Sequence, residues 1–234
     1  MKKLYNYKTL LIVISFYLIS AYGFQSGKTS LGVFFKVINL VEKKAAETDW
    51  KRAAKGDALL SNDNIRTGES SVAVIKFTDK SMIRLQENSE LIMLGEREQK
   101  ATINDFQIIH GAVGFNITQQ QNEQYTFKSP TSVASIRGTK GLFNHQVEVD
   151  MLIITEGIVN LNNIKSGEEQ DIAGGKIAFS YPDGVMNVRD ATNEELNSVD
   201  IALKAGDEQK ENELKFELKD QEGNKSDLKI KYKE

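Results

Sequence analysis

Two histidines, His110 and His145, are the natural starting point for any chemistry in this chain, because imidazole supplies general bases and metal ligands near neutral pH. They lie far apart in strand-like sequence, and no spacing nominates the third group that a triad or a two-histidine metal site needs. Both read as half-buried strand residues. Gly174-Gly175-Lys176 lacks the upstream glycine, the following Ser/Thr and the strand-helix frame of a phosphate loop, so it reads as a β-turn. Asn62-Asp63-Asn64 is rich in oxygen ligands but lacks the spacing and distal glutamate of a calcium loop, and turn chemistry accounts for it. A carboxylate pair converging from distant strands would need to be picked from 33 acidic residues, with no pattern to select it. No catalytic, cofactor-binding or metal-binding residue is therefore assigned, and the chain reads as non-enzymatic.

The elements that would carry such residues begin after a targeting segment. Lys2, Lys3 and Lys8 precede an apolar run from Leu10 to Ser20, and Ala21-Tyr-Gly23 offers a small-x-small cleavage site, so residues 1–23 read as a signal peptide cut after Gly23. The run is too short for a permanent span of roughly 20 residues, which implies a periplasmic or secreted protein with no stable membrane span after cleavage. An uncleaved amino-terminal anchor would face the same compartment. Cysteine is absent, which removes disulfides, thiolate metal sites and lipoprotein acylation. The whole chain has 30 Lys+Arg and 33 Asp+Glu; without the three leader lysines this becomes 27 against 33, near −6. That balance argues against nucleic acid, whose binders show a basic face.

The mature chain reads as all-β. Val33, Phe35 and Val37 open the first strands, Val72 to Phe77 alternates cleanly, and Thr78-Asp79-Lys80 turns into Met82, Ile83 and Leu85. Phe106 to Ile117 reads as two strands, or as one long strand hinged at Gly111 and Gly114. Tyr125–Lys128, Thr139–Asp150, Met151–Thr155 and Ile158–Ile164 continue the pattern, and no amphipathic helix separates them. Regular strand spacing predicts an antiparallel β-sandwich of jelly-roll type over residues 31–182. In 190–206, Thr192 and Glu195 form a capping box ahead of Leu196, Val199 and Leu203, which predicts one short helix. Within 213–233, Leu214, Phe216 and Leu218 alternate with charges, as do Leu228, Ile230 and Tyr232, around Gly223-Asn224. These runs predict a C-terminal β-hairpin whose apolar face needs cover, from the domain's own sheet or from a partner.

Several blocks, taken in order, resemble the FecR domain. They are Gly56-Asp57, Arg66-Thr67-Gly68, the strand Val72 to Phe77, the turn Asp79-Lys80-Ser81, and Ser129-Pro-Thr-Ser-Val-Ala-Ser-Ile-Arg-Gly-Thr139. The resemblance covers roughly Val33 to Leu161. Ser129, Ile136 and Lys80 stand where the family pattern has Thr, Val and Gly, and Gly141 lies near a position usually aromatic. The FecR family is a β-rich domain of bacterial envelopes, best known as the extracytoplasmic half of regulators that relay an iron-carrier signal to a sigma factor. Those regulators carry a cytoplasmic domain ahead of a membrane helix, whereas nine residues precede the apolar run here, so contact with a cytoplasmic sigma factor is not expected.

Within the last block, Pro130 removes a ladder donor and ends a strand. Small residues and Gly138 beside Arg137 favour a packed crossing in which the guanidinium ties carbonyls or a carboxylate, with Thr139 closing the turn through its hydroxyl. The alternative is an exposed arginine that grips a partner. The resemblance implies a module acting in protein–protein interaction or envelope signalling, with another envelope protein as partner. The alternative is a β domain binding a cell-wall glycan or exopolysaccharide, which requires Trp50, Phe143 and Tyr181 to line one exposed groove.

Overall fold

The computed structural model describes residues 30–45, 48–97, 102–119, 123–146, 149–207, 211–219 and 225–233. Gly23 and the targeting segment lie outside the described residues. The first strands are β1 (Gly32–Ile38), β2 (Val41–Lys44), β3 (Lys51–Arg52), β4 (Ala58–Leu59), β5 (Asn64–Thr67), β6 (Val72–Phe77), β7 (Met82–Leu85), β8 (Glu90–Met93) and β9 (Glu96–Arg97). They are followed by β10 (Thr102–Asn116), β11 (Glu123–Lys128), β12 (Ser132–Ile136), β13 (Lys140–Gln146), β14 (Val149–Glu156) and β15 (Ile158–Asn163). The chain continues through β16 (Glu169–Ala173), β17 (Lys176–Ser180), β18 (Met186–Asp190), the helix α1 (Asn193–Lys204), β19 (Glu211–Lys219) and β20 (Lys225–Lys233).

Strand pairing divides the body into two sheets that share one strand. Sheet A runs β4, β1, β6, β7, the second half of β10, β13, β14, β17 and β18. Sheet B runs β3, β2, β5, β8, the first half of β10, β11, β12, β15 and β16. Successive hairpins β11–β12, β13–β14, β15–β16 and β17–β18 fall alternately in B and A, so each sheet lengthens as the chain advances. All of these pairs are antiparallel except β10–β11, which is parallel from Thr102–Glu123 to Gln107–Lys128. That pair corrects the wholly antiparallel expectation, and its cause lies in β10: the strand leaves sheet B into sheet A, so β11 returns to B beside it in the same direction. Sheet A also continues past residue 182, through the turn at Gly184 into β18, one strand beyond the predicted domain edge.

The expected hinge in the long strand is at Gly111. The register slips between Ile108 and His110, and Gly111 has φ 93, a region open to glycine and costly to residues with a Cβ. Inward positions change parity across the slip, from Phe106 and Ile108 to Val113 and Phe115. An added Cβ at Gly111 would lie 2.1 Å from Ser89 Oγ, which itself accepts the Ala112 N–H at 2.9 Å.

The core between the sheets is stitched by aromatic rings. Phe77 of sheet A meets Phe106 and Tyr125 of sheet B edge-on at 5.7 and 5.4 Å, and Phe127 of B meets Phe115 and Phe143 of A at 5.3 and 6.2 Å. Each such contact adds about 0.5–1.5 kcal/mol beyond area burial. Phe115 also explains the glycine at position 141: an added Cβ would lie 2.6 Å from the Phe115 ring and 2.5 Å from the Ile153 carbonyl.

A second, smaller core forms on the outer face of sheet A. There Val199 and Ala202 of α1, with Leu196 and Leu203, pack on Leu142, Ile153 and Ile177. The expected capping box is present: the Glu195 N–H donates to Thr192 Oγ1 at 3.3 Å and the Thr192 N–H donates to Glu195 at 2.8 Å. At the far end Arg84 of β7 donates to the Ala205 carbonyl at 3.2 Å and pairs with Asp207 at 3.2 Å. A guanidinium at a helix C-terminus is favourable for the helix dipole. No helix among the described residues is long and apolar enough to cross a membrane.

Candidate functional site

The FecR-like blocks fall at the joints of the sandwich. Thr67, at the end of β5, donates its hydroxyl to the Gln86 carbonyl at 2.5 Å and accepts the Ser89 N–H at 3.1 Å, which fixes the β7–β8 connection. Beside it Arg66 binds Glu42 at 2.7 Å and lies 4.2 Å from the Trp50 ring centroid. Gly68 donates its N–H to the Leu40 carbonyl at 2.9 Å. Asn62-Asp63-Asn64 is a turn, with the Leu60 N–H donated to Asp63 at 2.9 Å.

The turn between β6 and β7 is anchored from inside. Asp79 accepts the Ser81 N–H at 2.9 Å, the Ser81 hydroxyl at 2.6 Å and the Tyr125 hydroxyl at 3.0 Å, while Ser81 Oγ accepts the Thr118 N–H at 2.9 Å. Lys80 sits between them at φ 74, in the left-handed region where the family pattern has glycine. A lysine there carries about 1–2 kcal/mol of backbone cost, tolerated because its neighbours determine the turn.

A second buried polar cluster joins the sheets at one end. Ser129, before the β11–β12 turn, accepts the N–H groups of Thr131 and Ser132 at 3.0 and 2.9 Å and donates its hydroxyl to Asp150 at 2.5 Å. The Ser132 hydroxyl donates to the same Asp150 oxygen, and His145 Nδ1 lies 2.7 Å from the other. Pro130 stands exposed at the turn. Next along both sheets, where Ser132 pairs with Asn163 and Asp150 with Ser180, the Asn163 amide donates to Ser180 Oγ at 2.8 Å and to the Tyr181 carbonyl at 2.9 Å. The four residues make a polar rail across the sandwich. Burial pushes the Asp150 carboxyl above its ordinary value, against the opposing pull of the Ser129 and Ser132 hydroxyls and His145.

Serine, histidine and aspartate thus meet, but in the wrong connectivity for nucleophilic catalysis. Both hydroxyls are hydrogen-bonded to the carboxylate, whereas a nucleophile is activated by a hydrogen bond to the imidazole. Sequence reading missed this cluster because Asp150 has no motif signature, and the pairing of β13 with β14 brings it to His145. The histidines also differ from the half-buried expectation: His145 is buried and His110 exposed. No group of three or more potential metal-ligating His, Cys, Asp or Glu side chains occurs among the described residues.

At the opposite end of β12, Thr139 Oγ1 donates to the carbonyls of Arg137 and Ile158, each at 3.1 Å, and Gly138 turns with φ 64. Arg137 itself is exposed, and no hydrogen bond or ion pair joins it to another described residue. The crossing is held by Thr139 and close glycine backbones, in place of the guanidinium tie expected from the sequence. The β11–β12–β15 register ends with Tyr125, Ile136 and Val159 side by side; Arg137 follows in the bend at Gly138, and Ile158, 57% exposed, opens β15 at the same corner. Elsewhere on the outer face of sheet B the half-buried Ile92, Ile103 and Val133 stand among paired polar groups: Asn160 donates to Asp171 at 3.0 Å, Asn162 to Glu169 at 3.1 Å, and Lys128 meets Asp105 at 2.5 Å.

The aromatic groove required for a glycan platform does not form. Phe143 is fully buried in the core, because β13 turns it inward against Phe127, and Trp50 stacks on Arg66 and Lys44.

Among curated proteins none matches the chain. Two crystal structures of a protein from Parabacteroides distasonis, provisionally named an anti-sigma factor, are similar at 9% identity and a TM-score of 0.49. The match covers 58% of this chain and 63% and 62% of those chains, less than two thirds of their length. Residues 63–160 match the family model described as FecR protein, the stretch that holds the Asp79 turn, the Ser129–Asp150 brace and the Arg137 corner, and the chain carries a FecR domain there.

Proposed function

We propose that this protein is an exported, non-catalytic FecR module that binds another protein of the cell envelope and acts in envelope signalling. The observation that carries this reading is the division of labour within the FecR domain. Its polar motif residues Thr67, Asp79, Ser129 and Thr139 are engaged inside the fold, while Arg137 and Ile158, whose carbonyls share the Thr139 hydroxyl, stand exposed at one corner of sheet B. A guanidinium with five donors next to an exposed aliphatic side chain suits a carboxylate rimmed by apolar surface, the usual chemistry of a protein contact. The buried serines bonded to Asp150 support the absence of a nucleophile.

A photo-crosslinking residue placed at Ile158 in the exported chain, in intact envelopes, tests the reading. One protein of defined mass is expected to be captured, and Arg137→Glu is expected to abolish the capture. No protein captured, or capture indifferent to Arg137→Glu, overturns it.

A further inference from the structure

We infer that the C-terminal hairpin β19–β20 docks through its apolar face on the uncovered half of sheet A's outer face, over β1 and β6. The register pairs Leu214 with Ile230 and Phe216 with Leu228, so the two-residue period sets Leu214, Phe216, Leu218, Leu228, Ile230 and Tyr232 on one face. A two-stranded sheet with such a face is marginal in water and needs cover.

The cover lies where the chain leads. Helix α1 lies over β10, β13 and β14 and ends against β6: an added Cβ on Gly206 would lie 3.0 Å from Val74 and 3.5 Å from Ile38. Arg84 then pins Asp207. Only residues 208–210 separate that point from Glu211, so the first residue of β19 lies within about 14 Å of it. Within that reach the outer face of β1 and β6 is apolar and open, with Val33 40% and Phe35 47% exposed and Ile38, Val72 and Met82 half-buried. Lysines surround the patch: Lys55 and Lys76 lie 5.9 and 5.3 Å from the Phe35 ring centroid, and Lys36 pairs with Val74. In β19 the charges Glu211, Glu213, Lys215 and Glu217 fall at the positions alternating with Leu214, Phe216 and Leu218, so the match to the patch rests on its apolar face and the short tether. A strand of this length spans about 30 Å, enough to cross the patch. A docked hairpin would extend the layer that α1 begins, and the proposal does not depend on the partner proposed for sheet B.

Because the chain has no cysteine, paired cysteines report the contact without background. Phe35→Cys with Phe216→Cys is expected to give an intramolecular disulfide under mild oxidation, and Ile158→Cys with Phe216→Cys, on the opposite sheet, is expected to give none. A second readout uses Phe216→Cys alone: adding Phe35→Glu is expected to speed its maleimide labelling by about tenfold, as a docked element opens. Disulfides only between chains, which would mean a second copy covers the patch, overturn the inference. So do no disulfide at Phe35, equal yields at Phe35 and Ile158, or labelling indifferent to Phe35→Glu.

Discussion

The two outer faces of the sandwich are built from neighbouring strands yet meet water differently. On sheet A the outward positions of β13, β14 and β17 include Leu142, Ile153 and Ile177, and α1 covers them with Val199 and Ala202. On sheet B the matching outward positions of β12, β15 and β16 are mixed and mainly polar: beside Val133 and Ile158 stand Ser135, Asn160, Asn162, Glu169 and Asp171, and Asn160 and Asn162 pair laterally with Asp171 and Glu169. An apolar outer face demands a third layer, whereas a polar one can stay open and remain available to another molecule. Residue choice at alternate strand positions therefore divides the molecule into a structural side and a presenting side.

The strongest attempt to break that division is Val199→Asp, which places an unpaired charge in the fully buried contact between α1 and sheet A. Stability in urea is expected to fall by about 4 kcal/mol, and a fall below about 1 would show that the helix is not part of the fold. Removing the pin at the other end of the helix, Arg84→Ala, is expected to cost about 2 kcal/mol, because the guanidinium is nearly buried and satisfies the Ala205 carbonyl. The same denaturation series measures it, and no change would separate the helix end from sheet A.

Acid sharpens the contrast further. Arg189 grips Glu195 through two hydrogen bonds, and with the Thr192 N–H it holds that carboxyl down to about 2. A folded-state value below the ordinary one means the contribution is complete above about pH 4.5 and is lost as pH falls toward 2. Hydrogen exchange in the first turn of α1 is expected to quicken over that window. Glu195→Gln should abolish the pH dependence, and an unchanged profile would remove Arg189 and the cap as its source. The smallest effect is expected on sheet B, where Asn160→Ala removes a half-exposed amide and should shift the urea midpoint by no more than about 0.5 kcal/mol allows. A larger loss would mean that this face is structural after all.

Local patterns made much of this legible. The alternation in Val72 to Phe77, the Thr192 and Glu195 pair and the glycine at 111 each encode a neighbourhood of a few residues, and each has its counterpart in β6, the capping box and the hinge. Arg137 shows the limit. Its neighbours Gly138 and Thr139 announce a tight crossing, but only the structure shows that Thr139 ties it, with Arg137 exposed and joined by no hydrogen bond or ion pair to another described residue.

The amino-acid sequence by itself determined most of the strands up to β15, the helix α1, the lack of thiol chemistry and the FecR blocks, while β16, β17 and β18 escaped it, because propensity, periodicity and capping act over short stretches of chain. Tertiary structure alone decided that hairpins alternate between two sheets, that β11 runs parallel to β10, that Phe143 faces the core and that Asp150 joins His145 to two serines. Those outcomes depend on which strand lies beside which, and pairing between distant strands is set by the packing of a whole core, which no local pattern contains.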